Sequence, residues 1–112
     1  MKIFNISVII LFILSINVNA GEIFGVPRIT DGDTIKILKK RIRFHGIDAP
    51  EKKQICVKNS KEYRCGQEAT NALIKKINGK IVVCKVQDKL DRYKRYIGVC
   101  FLGDIDLNKW MV

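Results

Sequence analysis

Acidic residues are scarce in this chain of 112 residues. Eleven Asp and Glu stand against 21 Lys and Arg, which gives a formal net charge of +10. Such an excess favours a polyanionic partner, either nucleic acid or an anionic membrane surface. Charge alone does not establish such a partner, since many secreted bacterial proteins are basic for solubility.

The sequence also lacks the residue spacing of a zinc site and a partner residue for histidine-based catalysis. It has four cysteines but no CxxC pair and no Cys/His spacing of the kind that binds zinc. The one histidine, His45, has no acid or base at a spacing that suggests a catalytic pair. We therefore interpret His45 as a strand residue without a special role.

No apolar run is long enough to span a bilayer. The longest, from Ile3 to Ile16, is shorter than the roughly 20 residues that a membrane-spanning helix needs. It follows Lys2 and precedes the small residues Val18 and Ala20, a pattern typical of a secretory signal peptide. We expect residues 1–20 to be cleaved, leaving a secreted or periplasmic protein without stable membrane association. An uncleaved amino-terminal anchor is the alternative.

Export determines how the cysteines are interpreted. All four lie after residue 20, and in an oxidising compartment an even number predicts two disulfides. Four cysteines allow three connectivities. Proximity along the chain favours Cys56–Cys65 within one loop and Cys84–Cys100 across a hairpin.

Neither a repeat nor a linker divides the remaining chain, so residues 21–112 are predicted to form one domain. Short alternating or apolar runs predict strands at 23–30 (with Pro27 at an edge or bulge), 34–38, 41–47, 81–86 and 96–102. A helix is predicted over 67–77, where Ala69, Ala72, Leu73 and Ile77 form an apolar stripe and Asn78-Gly79 ends it. A second helix begins near Asp106 or Asn108, includes Trp110 on its core side, and stops after about one turn. The layout predicts a mainly β fold, a five-stranded Greek-key barrel of the OB type with one full helix and a truncated second one.

Acids and arginines cluster near the ends of two of these strands. The cluster contains three acids, Asp33, Asp48 and Glu51, and one arginine, Arg43. A second arginine, Arg95, follows in a charged hairpin loop. Carboxylates are suitable ligands for a hard divalent cation, and the planar guanidinium suits phosphate. The set predicts metal-dependent phosphodiester hydrolysis. Taken alone, Asp31 and Asp33 would be ordinary turn formers.

In order along the chain, DGDT, R-x-x-x-x-D-x-P-E, CGQEATNALIKK and DRYKR resemble the staphylococcal nuclease (thermonuclease) family, from about Ile29 to Val112. The resemblance implies a calcium-dependent endonuclease that cleaves DNA and RNA, prefers single strands, acts as a monomer and leaves a 3′-phosphate. It assigns the calcium to Asp33, Asp48 and the carbonyl of Ala49, with Asp31 nearby. It assigns general-base catalysis to Glu51 and phosphate binding to Arg43 and Arg95.

Two positions and the end of the chain depart from the family pattern. Lys94 stands where the family usually has glycine, and Ala49 replaces a threonine. Family members continue through the rest of the second helix and a third one, so we expect the domain to be incomplete at its carboxyl end. Two alternatives to an active nuclease therefore stay open: an inactive or truncated OB-fold nucleic-acid-binding module, and a remnant that does not fold alone.

Overall fold

The computed structural model describes residues 21–112, and the predicted signal peptide at 1–20 lies outside them. The elements in chain order are β1 (Glu22–Gly25), β2 (Arg28–Asp31), β3 (Thr34–Ile37), β4 (Lys40–Phe44), β5 (Cys56–Lys58), β6 (Lys61–Tyr63), α1 (Cys65–Ile77), β7 (Val82–Leu90), β8 (Tyr96–Leu102), β9 (Ile105–Asp106) and α2 (Leu107–Trp110). The protein is mainly β, as predicted.

Seven strands form one curled sheet. Its order is β1-β7-β8-β4-β3-β2, with β9 paired to β8, and only the β4–β8 pair is parallel among the described strands. The two ends of this order, β1 and β2, are consecutive in the chain and separated only by Val26 and Pro27. One bent length of chain therefore supplies both ends of the sheet, which is the OB-type barrel that the sequence predicts.

The first predicted strand is divided in two at this bend. Gly25 has a φ of +155°, and a Cβ at this position would lie 2.8 Å from the side chain of Ile37. Glycine permits both the conformation and the close approach. Pro27 ends the ladder because it has no N–H to donate. The other predicted strands are all present, although β7 continues to Leu90 where a loop is expected.

The core lies inside the curl, as strand alternation predicts. Ile35 and Ile37 of β3 and Ile42 and Phe44 of β4 have almost no exposed surface. Burying an aliphatic or aromatic side chain of this size contributes about 1.5–3 kcal/mol. Helix α1 adds Leu73 and Ile77 to the same cluster.

Helix α1 begins two residues before the predicted start and ends as predicted. Asn78 adopts the left-handed conformation and its N–H donates to the carbonyl of Ile74. Ala72 is exposed, so its predicted place in the apolar stripe is wrong. Thr70 is buried instead, because its hydroxyl donates to the Gly66 carbonyl at 2.8 Å and leaves no unsatisfied donor.

Both favoured disulfides are present. Cys56 and Cys65 join the β5–β6 hairpin to the first residue of α1. Cys84 and Cys100 face each other across β7 and β8, with Cα atoms 4.0 Å apart and no exposed surface. One disulfide therefore joins neighbouring strands within the core, and the other joins a peripheral hairpin to α1.

Helix α2 is a single turn held by two polar side chains. Asp106 caps it by accepting from Lys109 N at 3.1 Å. Buried Asn108 accepts from Cys100 N and donates to the carbonyls of His45 and Gly98. These contacts stabilise a helix too short to persist by itself.

Trp110 does not lie on the core side of α2, so that prediction is wrong. Its side chain is 41% exposed, and the Lys76 ammonium lies 5.1 Å from the ring centroid. Within residues 21–112, no helix has the length and apolar character needed to cross a membrane.

The two disulfides should differ in their contribution to stability. Replacing Cys84 and Cys100 together by alanine should lower the free energy of unfolding by about 3 kcal/mol, from loop closure alone. Replacing Cys56 and Cys65 should cost less, because the hairpin they clamp pairs with no strand of the main sheet. Urea unfolding followed by circular dichroism measures both. A larger loss for the Cys56/Cys65 variant would contradict this assignment.

Candidate functional site

Asp33 lies in the turn between β2 and β3 and is almost fully buried. Its Oδ1 accepts from the Thr34 hydroxyl at 2.8 Å, and its Oδ2 accepts from the Ala49 amide at 2.9 Å. Its own carbonyl accepts from Phe44 N at 2.7 Å. The turn is therefore tied to the end of β4 and to the loop that follows β4.

Arg43 brings the aspartates of these two segments together. Its Nη1 lies 2.9 Å from Asp33 Oδ2, and its Nη2 lies 3.5 Å from Asp48 Oδ1. The Nη1 contact has the distance of an ion pair but not the direction of a hydrogen bond. Among residues 21–112, this buried nitrogen has no hydrogen-bond acceptor. The Arg43 side chain is 25% exposed, so the guanidinium can still bind an anion that approaches from solvent.

Asp31 and Asp33 titrate as a pair. Burial, a hydrogen bond to Asp33 and the charge of Asp33 raise the pKa of Asp31 from 3.8 to about 6, with partial compensation from the Asp33 N–H. Burial would also raise the pKa of Asp33. Hydrogen bonds from Asp31, Thr34 and the Ala49 amide, with the charge of Arg43, outweigh it and hold the pKa of Asp33 below its usual value. Asp33 is therefore the carboxylate of the pair that stays ionised.

The loop after β4 carries the remaining predicted residues. A shallow depression of about 270 Å³ is lined by Asp48, Ala49, Pro50, Glu51 and Gln54. Glu51 is exposed, and its backbone N–H donates to Gln54 Oε1 at 3.3 Å. The structure thus places Glu51 beside Asp48, the residue that also contacts Arg43.

The Glu51 backbone is fixed against the first turn of α1. Gln54 N donates to the Glu51 carbonyl at 2.8 Å, and Gly66 N donates to the Gln54 carbonyl at 3.2 Å. A Cβ on Gly66 would lie only 1.6 Å from the Glu51 carbonyl oxygen. Only glycine allows this approach, so Gly66 positions Glu51 without touching its side chain.

Arg95 is held by Asp91 in the turn between β7 and β8. Asp91 Oδ2 accepts from Arg95 Nε at 2.8 Å, and Oδ1 accepts from the amides of Tyr93 and Arg95. Burial would raise the pKa of Asp91, but these hydrogen bonds outweigh it and hold that pKa below its usual value. Lys94 adopts a φ of +61°, the left-handed conformation that glycine would adopt without strain. The turn is therefore kept with a lysine in it.

Asp91 connects this turn to the Arg43 site. A depression of about 450 Å³ is lined by both Arg43 and Asp48 on one side and by Asp91 on the other. Arg95 is not among the lining residues and reaches the depression only through its ion pair with Asp91. Of the predicted residues, Asp33, Arg43, Asp48 and Ala49 are in direct contact, whereas Glu51 and Arg95 lie at the margins.

The residues around Arg43 fit a hard cation by ligand type. Asp33 and Asp48 are oxygen ligands on either side of one guanidinium, so their carboxylates already share a positive charge. Within the described part of the chain, no three Asp, Glu, His or Cys side chains converge to hold a metal. A cation held by the two aspartates would need further oxygens, from a carbonyl such as that of Ala49 and from water.

Three residues of the site escaped sequence reasoning. Gln54 lies outside the motifs, and Gly66 lies within CGQEATNALIKK without a role that the sequence predicts; only the packed loop reveals what both do. Asp91 had a signal: an acid four residues before Arg95 in a basic loop, which is a spacing compatible with an ion pair across a turn.

Gly66→Ala tests the close approach to Glu51. Alanine is favoured over glycine in helices by about 1 kcal/mol, so propensity alone predicts a gain in stability. The clash with the Glu51 carbonyl should instead lower the free energy of unfolding by about 1–3 kcal/mol. Urea unfolding gives the sign directly, and a gain would show that the loop does not pack as described.

Asp31→Asn tests the raised pKa of Asp31 in chelator-treated protein. The unfolded state loses this proton near pH 3.8 and the folded state near pH 6, so wild-type stability falls as pH rises through that window. The stability gained by Asp31→Asn should therefore grow between pH 4 and pH 7 and then level off. We expect a gain on the order of 1 kcal/mol, because solvent screens this half-exposed group.

Thermal unfolding at a series of pH values measures that gain. Asp104→Asn is the control, since it removes the same charge from an exposed position. Parallel pH profiles for the two variants would mean that the effect is only one of net charge.

The comparisons with known proteins point to one family. Residues 41–112 match the family model described as staphylococcal nuclease homologue. The chain is 36% identical over 110 residues to an uncharacterized endonuclease of Escherichia coli O157:H7, which covers 93% of this chain and 65% of that protein. It is 36% identical over 96 residues to the succinoglycan biosynthesis protein ExoI of Rhizobium meliloti, covering 83% of this chain and 50% of that one.

A plant relative matches this chain over a small part of its own length. The probable staphylococcal-like nuclease CAN3 of Oryza sativa is 38% identical over 80 residues, covering 71% of this chain but only 19% of that protein. This chain therefore spans less than two thirds of the length of these relatives. The matched segment contains β4, the loop after it, α1 and the Asp91–Arg95 turn. On this match, the chain belongs to the staphylococcal nuclease family.

Proposed function

We propose that the protein is an exported, calcium-dependent endonuclease that hydrolyses phosphodiester bonds of DNA and RNA. The observation that carries the proposal is the guanidinium of Arg43, which lies between Asp33 and Asp48 while its side chain remains 25% exposed to solvent. A phosphate oxygen is a suitable acceptor for it. Two relatives named as an endonuclease and a nuclease support nuclease activity in general.

Each residue of the site has a distinct proposed role. Asp33, Asp48 and the Ala49 carbonyl would hold the calcium, which when bound would offset negative charge on the phosphate. Arg43 donates to the scissile phosphate and stabilises the extra charge of the transition state. Arg95, aligned by Asp91, supplies a second guanidinium from the margin of the depression.

Glu51 is the proposed general base. Its carboxylate removes a proton from the water that attacks phosphorus, the bond to the 5′-oxygen breaks, and that oxygen takes a proton from solvent, which leaves a 3′-phosphate and a 5′-hydroxyl. The exposure of Glu51 and its place beside Asp48 support this role. The fixed Glu51 backbone keeps the base from moving with the rest of the loop.

Export and substrate form are part of the same proposal. The apolar segment at residues 3–16 and the two disulfides favour an oxidising compartment, either secreted or periplasmic. The depression beside Arg43 is shallow and open, which suits a flexible single strand as substrate. We propose that the protein acts as a monomer.

Cleavage of a single-stranded oligonucleotide by purified, oxidised protein tests the activity. We expect cleavage with calcium and none with chelator, because the phosphate charge is then not offset. Glu51→Gln should reduce the rate by about 10²–10⁴-fold, the usual contribution of a general base. Arg43→Lys should also reduce it, since lysine cannot replace the bidentate guanidinium.

Glu22→Gln is the matched control, because Glu22 is an exposed acid on β1 away from the loop. It should cleave like the unaltered protein. Equal activity of Glu51→Gln and Glu22→Gln would remove Glu51 from the mechanism. Salt-sensitive binding without cleavage by the unaltered chain would instead favour the OB-fold binding module.

A further inference from the structure

A basic hairpin projects from the loop that carries Glu51. We define the arm as residues 52–64, which include the strands β5 and β6. Five basic side chains stand in it against the one acid Glu62, and every residue except Cys56 is exposed: the basic ones are Lys52, Lys53, Lys58, Lys61 and Arg64. Neither strand pairs with the main sheet. Pairing with the barrel therefore does not explain the positive charge of the arm.

The arm is rigid in spite of its exposure. Asn59 and Ser60 both have positive φ, which forms a tight two-residue turn whose twist suits a hairpin. A two-stranded hairpin is marginally stable by itself, and the Cys56–Cys65 disulfide joins its base to α1. The arm therefore presents its charges in fixed positions.

Two lysines of the arm are placed at a cost. Lys58 and Lys61 are directly opposite each other across β5 and β6, and like charges so placed destabilise a hairpin. By strand alternation Tyr63 lies on the same face, and it is exposed. An anionic ligand would relieve the repulsion, and an exposed ring beside it could stack on a base.

A continuous path joins the arm to the site. Gln54 lines both the depression that contains Glu51 and a second one of about 300 Å³, whose basic residues are Lys52, Lys53 and Arg64. A strand that had one phosphate at Arg43 and passed Glu51 would thus continue toward the positive charges at the base of the arm.

We propose that the arm binds the nucleic-acid backbone on one side of the cleaved phosphate, with Lys58 and Lys61 as phosphate contacts and Tyr63 as a stacking surface. The arm acts on long substrates only, because a small phosphodiester does not reach it. This inference rests on the proposed nuclease function. It adds a substrate-binding surface outside the residues assigned to catalysis.

The test compares Lys58→Gln/Lys61→Gln with Lys75→Gln/Lys80→Gln. The control pair removes the same charge from exposed positions near the other end of α1. In a Glu51→Gln background, fluorescence anisotropy with a single-stranded oligonucleotide should show about tenfold weaker binding for the arm pair. The slope of log K against log salt should fall by about 1.4, which corresponds to two phosphates of a single strand.

Activity assays separate positioning from catalysis. With Glu51 intact, the arm pair should raise the KM for a long oligonucleotide and leave hydrolysis of bis(4-nitrophenyl) phosphate unchanged. Lys58→Arg/Lys61→Arg should restore the affinity. Cys56→Ser/Cys65→Ser should weaken oligonucleotide binding as the lysine pair does, because the arm loses its clamp.

Each outcome bears on one proposal. If the unaltered protein cleaves but the arm and control pairs bind the oligonucleotide equally, the arm proposal is wrong and the nuclease proposal stands. Binding to alginate, an acidic polysaccharide, is measured on the same variants. If the arm pair loses alginate binding but keeps oligonucleotide binding, the arm proposal is likewise overturned, in favour of an acidic polysaccharide. Neither cleavage nor oligonucleotide binding by the unaltered protein overturns the nuclease proposal, and the arm proposal with it.

Discussion

The buried carboxylate of Asp33 joins three segments that are distant in the chain. It accepts from Thr34 on its own turn, contacts Arg43 on β4, and accepts from the Ala49 amide in the following loop. Replacing any of these partners would leave a buried charge incompletely paired, which is costly. The same contacts keep Asp33 ionised and leave Arg43 between two aspartates. Structure and proposed chemistry therefore depend on one carboxylate, whose partners are all required to hold it in place.

Much of the fold follows from local patterns in the sequence. Strand alternation predicts the buried pairs Ile35/Ile37 and Ile42/Phe44, and proximity along the chain predicts both disulfides. The prediction that Trp110 faces the core is wrong because a single helical turn has no periodicity that identifies its buried face. The divided first strand was only partly foreseen, since Pro27 signals a bulge but the contact between Gly25 and Ile37 depends on tertiary packing.

The sequence predicts which side chains form the candidate site, but it does not predict how they are arranged. The order of the motifs predicts that Asp33, Arg43 and Asp48 lie close together, and in the structure Arg43 contacts both aspartates. No local pattern could reveal that the Glu51 carbonyl rests on Gly66, because the contact joins a loop to a helix. The role of Asp91 in aligning Arg95 likewise depends on the shape of the turn, which Lys94 adopts despite strain. Sequence identifies the chemical groups here, and packing determines which of them face one another.

The bent segment at the start of the domain has a consequence for the order of folding. Glu22 pairs with Lys85, more than half the domain later in sequence. Contacts between such distant residues slow folding, because a large loop must close before they form. During synthesis, β1 is made first and stays unpaired until β7 follows. The side chain of Ile23, which the folded domain buries, is exposed to water throughout that interval, so the barrel cannot close until the second half of the chain is present.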